Sequence, residues 1–210
     1  MSLSLTGHGV QQAQLVGERL KNRQFTVIIS SPLKRAFDTA QAIYNDQPGK
    51  PKFFTDARLM EVHMGEFEDK NWNIYKLPKL DGVPYRHRRF PHGESRHDAY
   101  LRVSTFIEDL FTEYPVNDSS DVNILIVAHG MVLSEVSNAL HSKQKVPWEH
   151  IRWHNTAVTT LQLHPTGGLN VLEANDTSHL ERLVRQRGGI GSASHDPSQT
   201  KLTGYFGKTA

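Results

Sequence analysis

The chain has 210 residues, 37% hydrophobic and 22% charged, which suits one ordinary domain with a buried core and a tail. Lys and Arg number 24 against 22 Asp and Glu, and a net charge of +2 gives no support to general nucleic-acid or membrane-surface binding. There is no cysteine, which excludes disulfide scaffolds, thiolate zinc sites and cysteine nucleophiles.

No stretch approaches the roughly 18 apolar residues of a membrane span, and the start lacks a basic region followed by an apolar one. The expectation is a soluble protein of the cytoplasm, with the nucleus as a second location. Val10, Ala13, Val16 and Leu20 recur at helical spacing and predict a helix over 6–22. Phe25 to Ile29 is a short, β-branched run that reads as a buried strand, ending at Ser30-Ser31-Pro32. Leu33, Ala36, Ala40 and Ile43 repeat the helical spacing until Gln47-Pro48-Gly49 breaks it, and 52–55 reads as another strand. Residues 61–97 carry aromatic, basic, Gly and Pro residues with no steady period, and predict a long functional excursion with short helices.

From Tyr100 one stripe (Val103, Phe106, Ile107, Leu110, Phe111, Tyr114) predicts a helix closed by Pro115, and 117–120 reads as a loop. Ile124 to Ala128 is a continuous apolar run, the pattern of a strand covered on both faces, followed by His129-Gly130 and a helix over 132–141. Val158–Leu163 and Leu169–Leu172 predict a hairpin through Pro165-Thr166-Gly167-Gly168. Residues 1–184 form the expected domain and 185–210, rich in Gly and Ser at first, a flexible tail. Helices alternating with buried strands predict an α/β three-layer sandwich with a mainly parallel sheet.

Ligands bind beyond the carboxyl ends of strands in such sheets, and two of those ends carry polar chemistry. After Ser30-Ser31-Pro32, Arg35 falls in the first turn of a helix, where the dipole favours an anion and a planar guanidinium can grip two phosphate oxygens. The other end delivers the His129 imidazole, with Gly130 beside it.

The sequence around these residues resembles the histidine phosphatase (phosphoglycerate mutase-like) superfamily. The resemblance is carried by Leu5-Thr6-x-x-Gly9-x-x-Gln12-Ala13 and by Ser30-Ser31-Pro32-Leu33-x-Arg35-Ala36-x-x-Thr39-Ala40. It continues through Leu59-x-Glu61-x-x-x-Gly65-x-Phe67-Glu68, Pro91-x-Gly93-Glu94-Ser95, Ala128-His129-Gly130 and Asn155-Thr156-Ala157-Val158, in family order over 5–163. It implies a phosphohistidine mechanism on a small phosphorylated substrate, as phosphatase or mutase, without metal or organic cofactor. By motif, Arg35 and His129 would bind the phosphoryl oxygens, Glu61 would donate the proton, and Glu94 is a candidate for organising the pocket. Arg86, Arg88 and Arg89 are candidate contacts to a second anionic group of the substrate.

One block of the family pattern, an interior strand running into Arg-His-Gly upstream of the Leu-Thr motif, is not among these residues. It supplies the nucleophilic histidine. His8, in the first turn of a helix with no arginine before it, is not read as a substitute. The expectation is a gap in the sheet and a 210-residue chain that is inactive or impaired, with activity belonging to the complete gene product. The alternative is a non-catalytic phosphate-pocket protein recruited through its tail. There, Gln199, Leu202, Tyr205 and Phe206 are similar to the peptide by which many proteins bind the sliding clamp, proliferating cell nuclear antigen.

Overall fold

The computed structural model describes residues 4–68, 82–117, 121–147 and 150–183. The tail, and with it the clamp-like peptide, lies outside the described residues. Helix α1 (Gly7–Leu20) starts at Thr6, whose hydroxyl accepts the Gly9 N–H at 3.1 Å. It leads into strand β1 (Val27–Ser30), helix α2 (Lys34–Asp46) and strand β2 (Lys52–Thr55). Helix α3 (Arg96–Glu113) begins four residues before the predicted Tyr100, because Ser95 and Asp98 form a reciprocal capping box that the apolar stripe does not reveal. Strand β3 (Ile124–Val127), helix α4 (Gly130–Lys143), strand β4 (Val158–Leu163) and strand β5 (Leu169–Asp176) complete the order. Short 3-10 turns at Ala57–Leu59, Gly65–Phe67 and Tyr85–His87 punctuate the irregular excursion.

Strands β2, β1 and β3 form a parallel sheet in that spatial order, with Val27 opposite both Lys52 and Ile124. Alternation along β1 splits the core into two layers. Val27 and Ile29 face α3 and α4 through Val103, Phe106, Ile107, Val132 and Val136. Ile28 faces α1 and α2 through Val16, Leu20, Ala40 and Ile43. This is the predicted three-layer α/β architecture.

Among the described residues, the sheet does not continue from β3 into the hairpin, and strands β4 and β5 pair only with each other, antiparallel. Between β3 and β4 lies a cavity of about 950 Å³, lined by every residue of both strands and by apolar side chains from all four helices. The β3 residues, read from sequence as covered on both faces, are each only half-buried, because the flank of the strand borders this slot.

Candidate active site

Three chain segments meet at the carboxyl edge of the sheet. After β1, buried Ser31 donates its N–H to Val127 O at 2.9 Å, tying the strand end to β3, and its hydroxyl accepts the Leu33 N–H at 3.2 Å. That turn places Arg35 in the first turn of α2. After β3, His129 is the extended N-cap residue of α4 and is 7% exposed. Its Nε2 is hydrogen-bonded to Ser31 Oγ at 2.9 Å. Glu61 follows the Ala57–Leu59 turn and comes to the start of α4, where its carboxylate accepts the N–H groups of Met131 and Val132 besides that of Val62. Arg35, Glu61 and His129 line the same cavity, so the structure brings together the three residues expected to do the chemistry.

Burial moves their proton affinities in opposite senses. Burial raises the Glu61 carboxyl above 4.5, against the opposing pull of the backbone N–H groups and of Arg35. Burial, reinforced by Arg35 and Arg102, holds the His129 imidazole well below 6.5, so it is neutral at pH 7. Burial also lowers the Arg35 guanidinium, offset in part by Glu61 and Glu68, yet a guanidinium keeps its proton in a folded protein and stays charged. The pocket thus presents one fixed cation, one neutral imidazole and one carboxyl inclined to keep its proton.

The other expected residues lie apart from the reacting groups. Glu94 accepts from Arg102 at 2.9 and 3.0 Å and from the His63 N–H at 3.0 Å. Arg102 also donates to the carbonyls of Arg58 and Glu61, so Glu94 acts on the pocket through the segment that carries Glu61. Arg86 donates to buried Glu135 at 2.7 Å, Arg88 to Val83 O at 3.0 Å, and Arg89 to Asp98 at 2.6 Å. None of these three arginines lines the cavity that holds Arg35 and His129. His8 sits in the first turn of α1 and does not line it either.

Sequence reasoning missed Ser31, Arg102 and Glu135. The last carried a signal, since it shares the inward face of α4 with Val132, Val136 and Ala139, and a carboxylate on such a face requires a cation. A smaller cavity of about 340 Å³ opens beside Glu61, with Ser134, His150, Arg152 and Trp153 in its wall. Among the described residues no cluster of three or more His, Asp or Glu side chains is arranged to hold a metal ion, and no helix is long and apolar enough to cross a membrane.

A family profile described as the histidine phosphatase superfamily (branch 1) matches residues 2–177. A putative phosphoserine phosphatase of Hydrogenobacter thermophilus is 35% identical over 187 residues, 86% of this chain and 87% of that protein. A probable phosphatase of Schizosaccharomyces pombe is 28% identical over 97% of this chain and 71% of its own length. A mycobacterial glucosyl-3-phosphoglycerate phosphatase, solved with vanadate (VO3), superposes with a TM-score of 0.65 at 26% identity, over 82% of this chain and 87% of its own.

Proposed function

The chain belongs to the histidine phosphatase superfamily, and on that premise we propose that it is the phosphate-binding body of a phosphohistidine-type phosphomonoester phosphatase or mutase. The observation that carries this reading is the convergence of Arg35, His129 and Glu61 from separate segments at the carboxyl edge of one sheet. Arg35 and His129 hold the phosphoryl oxygens while charge develops on them. A nucleophilic imidazole forms the phosphorus–nitrogen bond as the ester phosphorus–oxygen bond breaks, and Glu61 gives its proton to the leaving oxygen. Water then attacks the phosphohistidine, the Glu61 carboxylate takes its proton, and inorganic phosphate leaves. By resemblance the nucleophile belongs to the upstream Arg-His-Gly block, so the 210 residues alone bind phosphate without appreciable turnover.

Thermal unfolding of the 210-residue chain with vanadate or phosphate tests the pocket. Ligand at about 100 times Kd stabilises by about 2.7 kcal/mol, a rise of about 5–10 °C in Tm for a chain of this size. Arg35→Ala abolishes the rise. A chain that unfolds cooperatively with no shift, or an Arg35→Ala protein that still shifts, refutes the assignment. Turnover of p-nitrophenyl phosphate stays at background until the upstream block is present.

A second reading rests on the Gln199, Leu202, Tyr205 and Phe206 pattern. In it the tail recruits the domain to the sliding clamp, with the pocket serving as a phosphate-binding site. Titrating the full chain into proliferating cell nuclear antigen tests this, with binding lost on combined Tyr205→Ala and Phe206→Ala substitution.

A further inference from the structure

We propose that the leaving alcohol of the substrate sits in the smaller cavity beside Glu61, and that it carries a carboxylate received by Arg152. This rests on the phosphomonoester reading and adds to it the chemistry of the group that departs.

The place of the alcohol follows from Glu61. Arg35 and His129 line the larger cavity, whereas Glu61 borders both it and the smaller one of about 340 Å³. A group that protonates the leaving oxygen lies within hydrogen-bond reach of it, and the carbon chain on that oxygen points away from phosphorus. With the phosphoryl oxygens at Arg35 and His129, that chain enters the cavity on the other side of the donor. Gly130 and Trp153 also belong to both walls, so the two spaces meet at the start of α4. A Cβ at Gly130 would stand 3.6 Å from that of Trp153, so the glycine keeps this junction wide. The volume lies at the low end of the roughly 300–1,000 Å³ of small-molecule sites, which suits an alcohol of a few carbons.

The walls give the chemistry. Glu61 is the one acidic residue among them, and Arg152 is the fixed cation. Among the described residues no hydrogen bond or ion pair engages Arg152, unlike Arg86 and Arg89, whose charges are met by Glu135 and Asp98. A guanidinium with its fork unused matches the planar single charge of a carboxylate. A second phosphate dianion there would bring surplus negative charge beside Glu61. Buried Ser134 donates its hydroxyl to Gly130 O at 3.0 Å, which leaves its own oxygen to accept from a substrate hydroxyl. Trp153 Nε1 is buried without a hydrogen-bond partner among the described residues, and supplies a further donor to a ligand oxygen. Arg152 stands ahead of the Asn155-Thr156-Ala157-Val158 block and outside every motif that carries the family resemblance. It is therefore placed to set which alcohol is accepted and not how phosphorus is handled.

Calorimetric titration of the 210-residue chain with inorganic phosphate, glycerol 3-phosphate and 3-phosphoglycerate at fixed ionic strength tests this. The two esters differ by a hydroxymethyl group against a carboxylate. The carboxylate ester should bind about tenfold or more tightly than its neutral counterpart, the least expected of one charge-assisted hydrogen-bonded pair. Arg152 is exposed, so Arg152→Ala leaves the chain folded; it should equalise the two esters without changing the Kd of inorganic phosphate. Arg152→Lys should restore part of the preference. Arg89→Ala removes the same charge outside both cavities and should retain all of it. Equal affinities in the unmodified chain, a preference that survives Arg152→Ala, or one that Arg89→Ala removes overturns the proposal while the phosphate site stands. A folded chain that binds none of the three ligands overturns both.

Discussion

Glu135→Ala is a demanding test of how the excursion before α3 is held. The Glu135 side chain is 1% exposed and receives Arg86 Nη2 at 2.7 Å and Arg96 through Nε at 2.8 Å and Nη2 at 2.7 Å. A charge-assisted hydrogen bond contributes about 1.5–3 kcal/mol. The arginines are 41% and 33% exposed, however, so once released they are re-solvated and the arms do not add. The expected loss is about 2–3 kcal/mol, which at a urea m-value of about 2 kcal/mol/M moves the midpoint down by about 1–1.5 M. Removing both arginines is the informative contrast. Arg86→Ala with Arg96→Ala leaves the buried Glu135 carboxylate without either cation, with only the long 3.3 Å hydrogen bond from Asn138 Nδ2 among the described side chains, and should cost about 3–5 kcal/mol, more than deleting Glu135 itself. Urea unfolding followed by tryptophan fluorescence, with an unchanged m-value, measures all of these. If Glu135→Ala costs less than about 0.5 kcal/mol, or more than the double arginine variant, the desolvation argument is wrong.

Three further outcomes are expected. Glu61 has a raised pKa in the folded state, so its contribution to stability is full below 4.5 and is lost as pH rises through the folded value. Glu61→Gln should therefore raise Tm at pH 7 and leave it unchanged below pH 4.5, and thermal scans that show equal Tm at both pH values would contradict the shift. His129 is depressed, so its contribution is full above 6.5 and declines as pH falls below it, by up to about 1.4 kcal/mol per pH unit. His129→Gln should flatten that limb of the stability profile, leaving the smaller slopes of His63 and His179, which are lowered in the same direction. Gly65 has φ +54°, and a Cβ there would lie 1.9 Å from Pro91 O and 2.9 Å from Gly93 N. Gly65→Ala should cost at least about 2 kcal/mol by urea unfolding, and a near-neutral result would mean that the 63–65 and 91–93 segments do not cross as described.

Much of this architecture was legible in the sequence because it rests on local periodicity. The stripes of α1 and α2, the runs at β1 and β3 and the hairpin turn all depend on neighbours a few residues away. What sequence could not supply depends on partners far along the chain. The basic run of Arg86, Arg88 and Arg89 reads as a set of free cations until the fold brings Glu135 and Asp98 to two of them. Arg102 is one more polar residue on α3 until the fold sets it under Glu94 and the Glu61 carbonyl. At β3 the rule held for the two faces, since Ile124 and Ile126 pack on one core layer and Leu125 and Val127 on the other, while the cavity along the strand's flank, which composition cannot reveal, leaves each residue half-buried.

The pocket and the slot are physically linked. Arg35, Glu61 and His129 owe their shifted proton affinities to removal from water, not to a strong ion pair. With the imidazole neutral and the Glu61 carboxyl drawn toward its neutral form, the dominant fixed charge among the three is the Arg35 guanidinium, and the start of α4 adds its positive end beside it. This polarity receives a phosphoryl dianion and leaves a proton on the group that must give one up. Yet the cavity that holds these residues runs on between β3 and β4, and water admitted through that slot would weaken both the desolvation and the field.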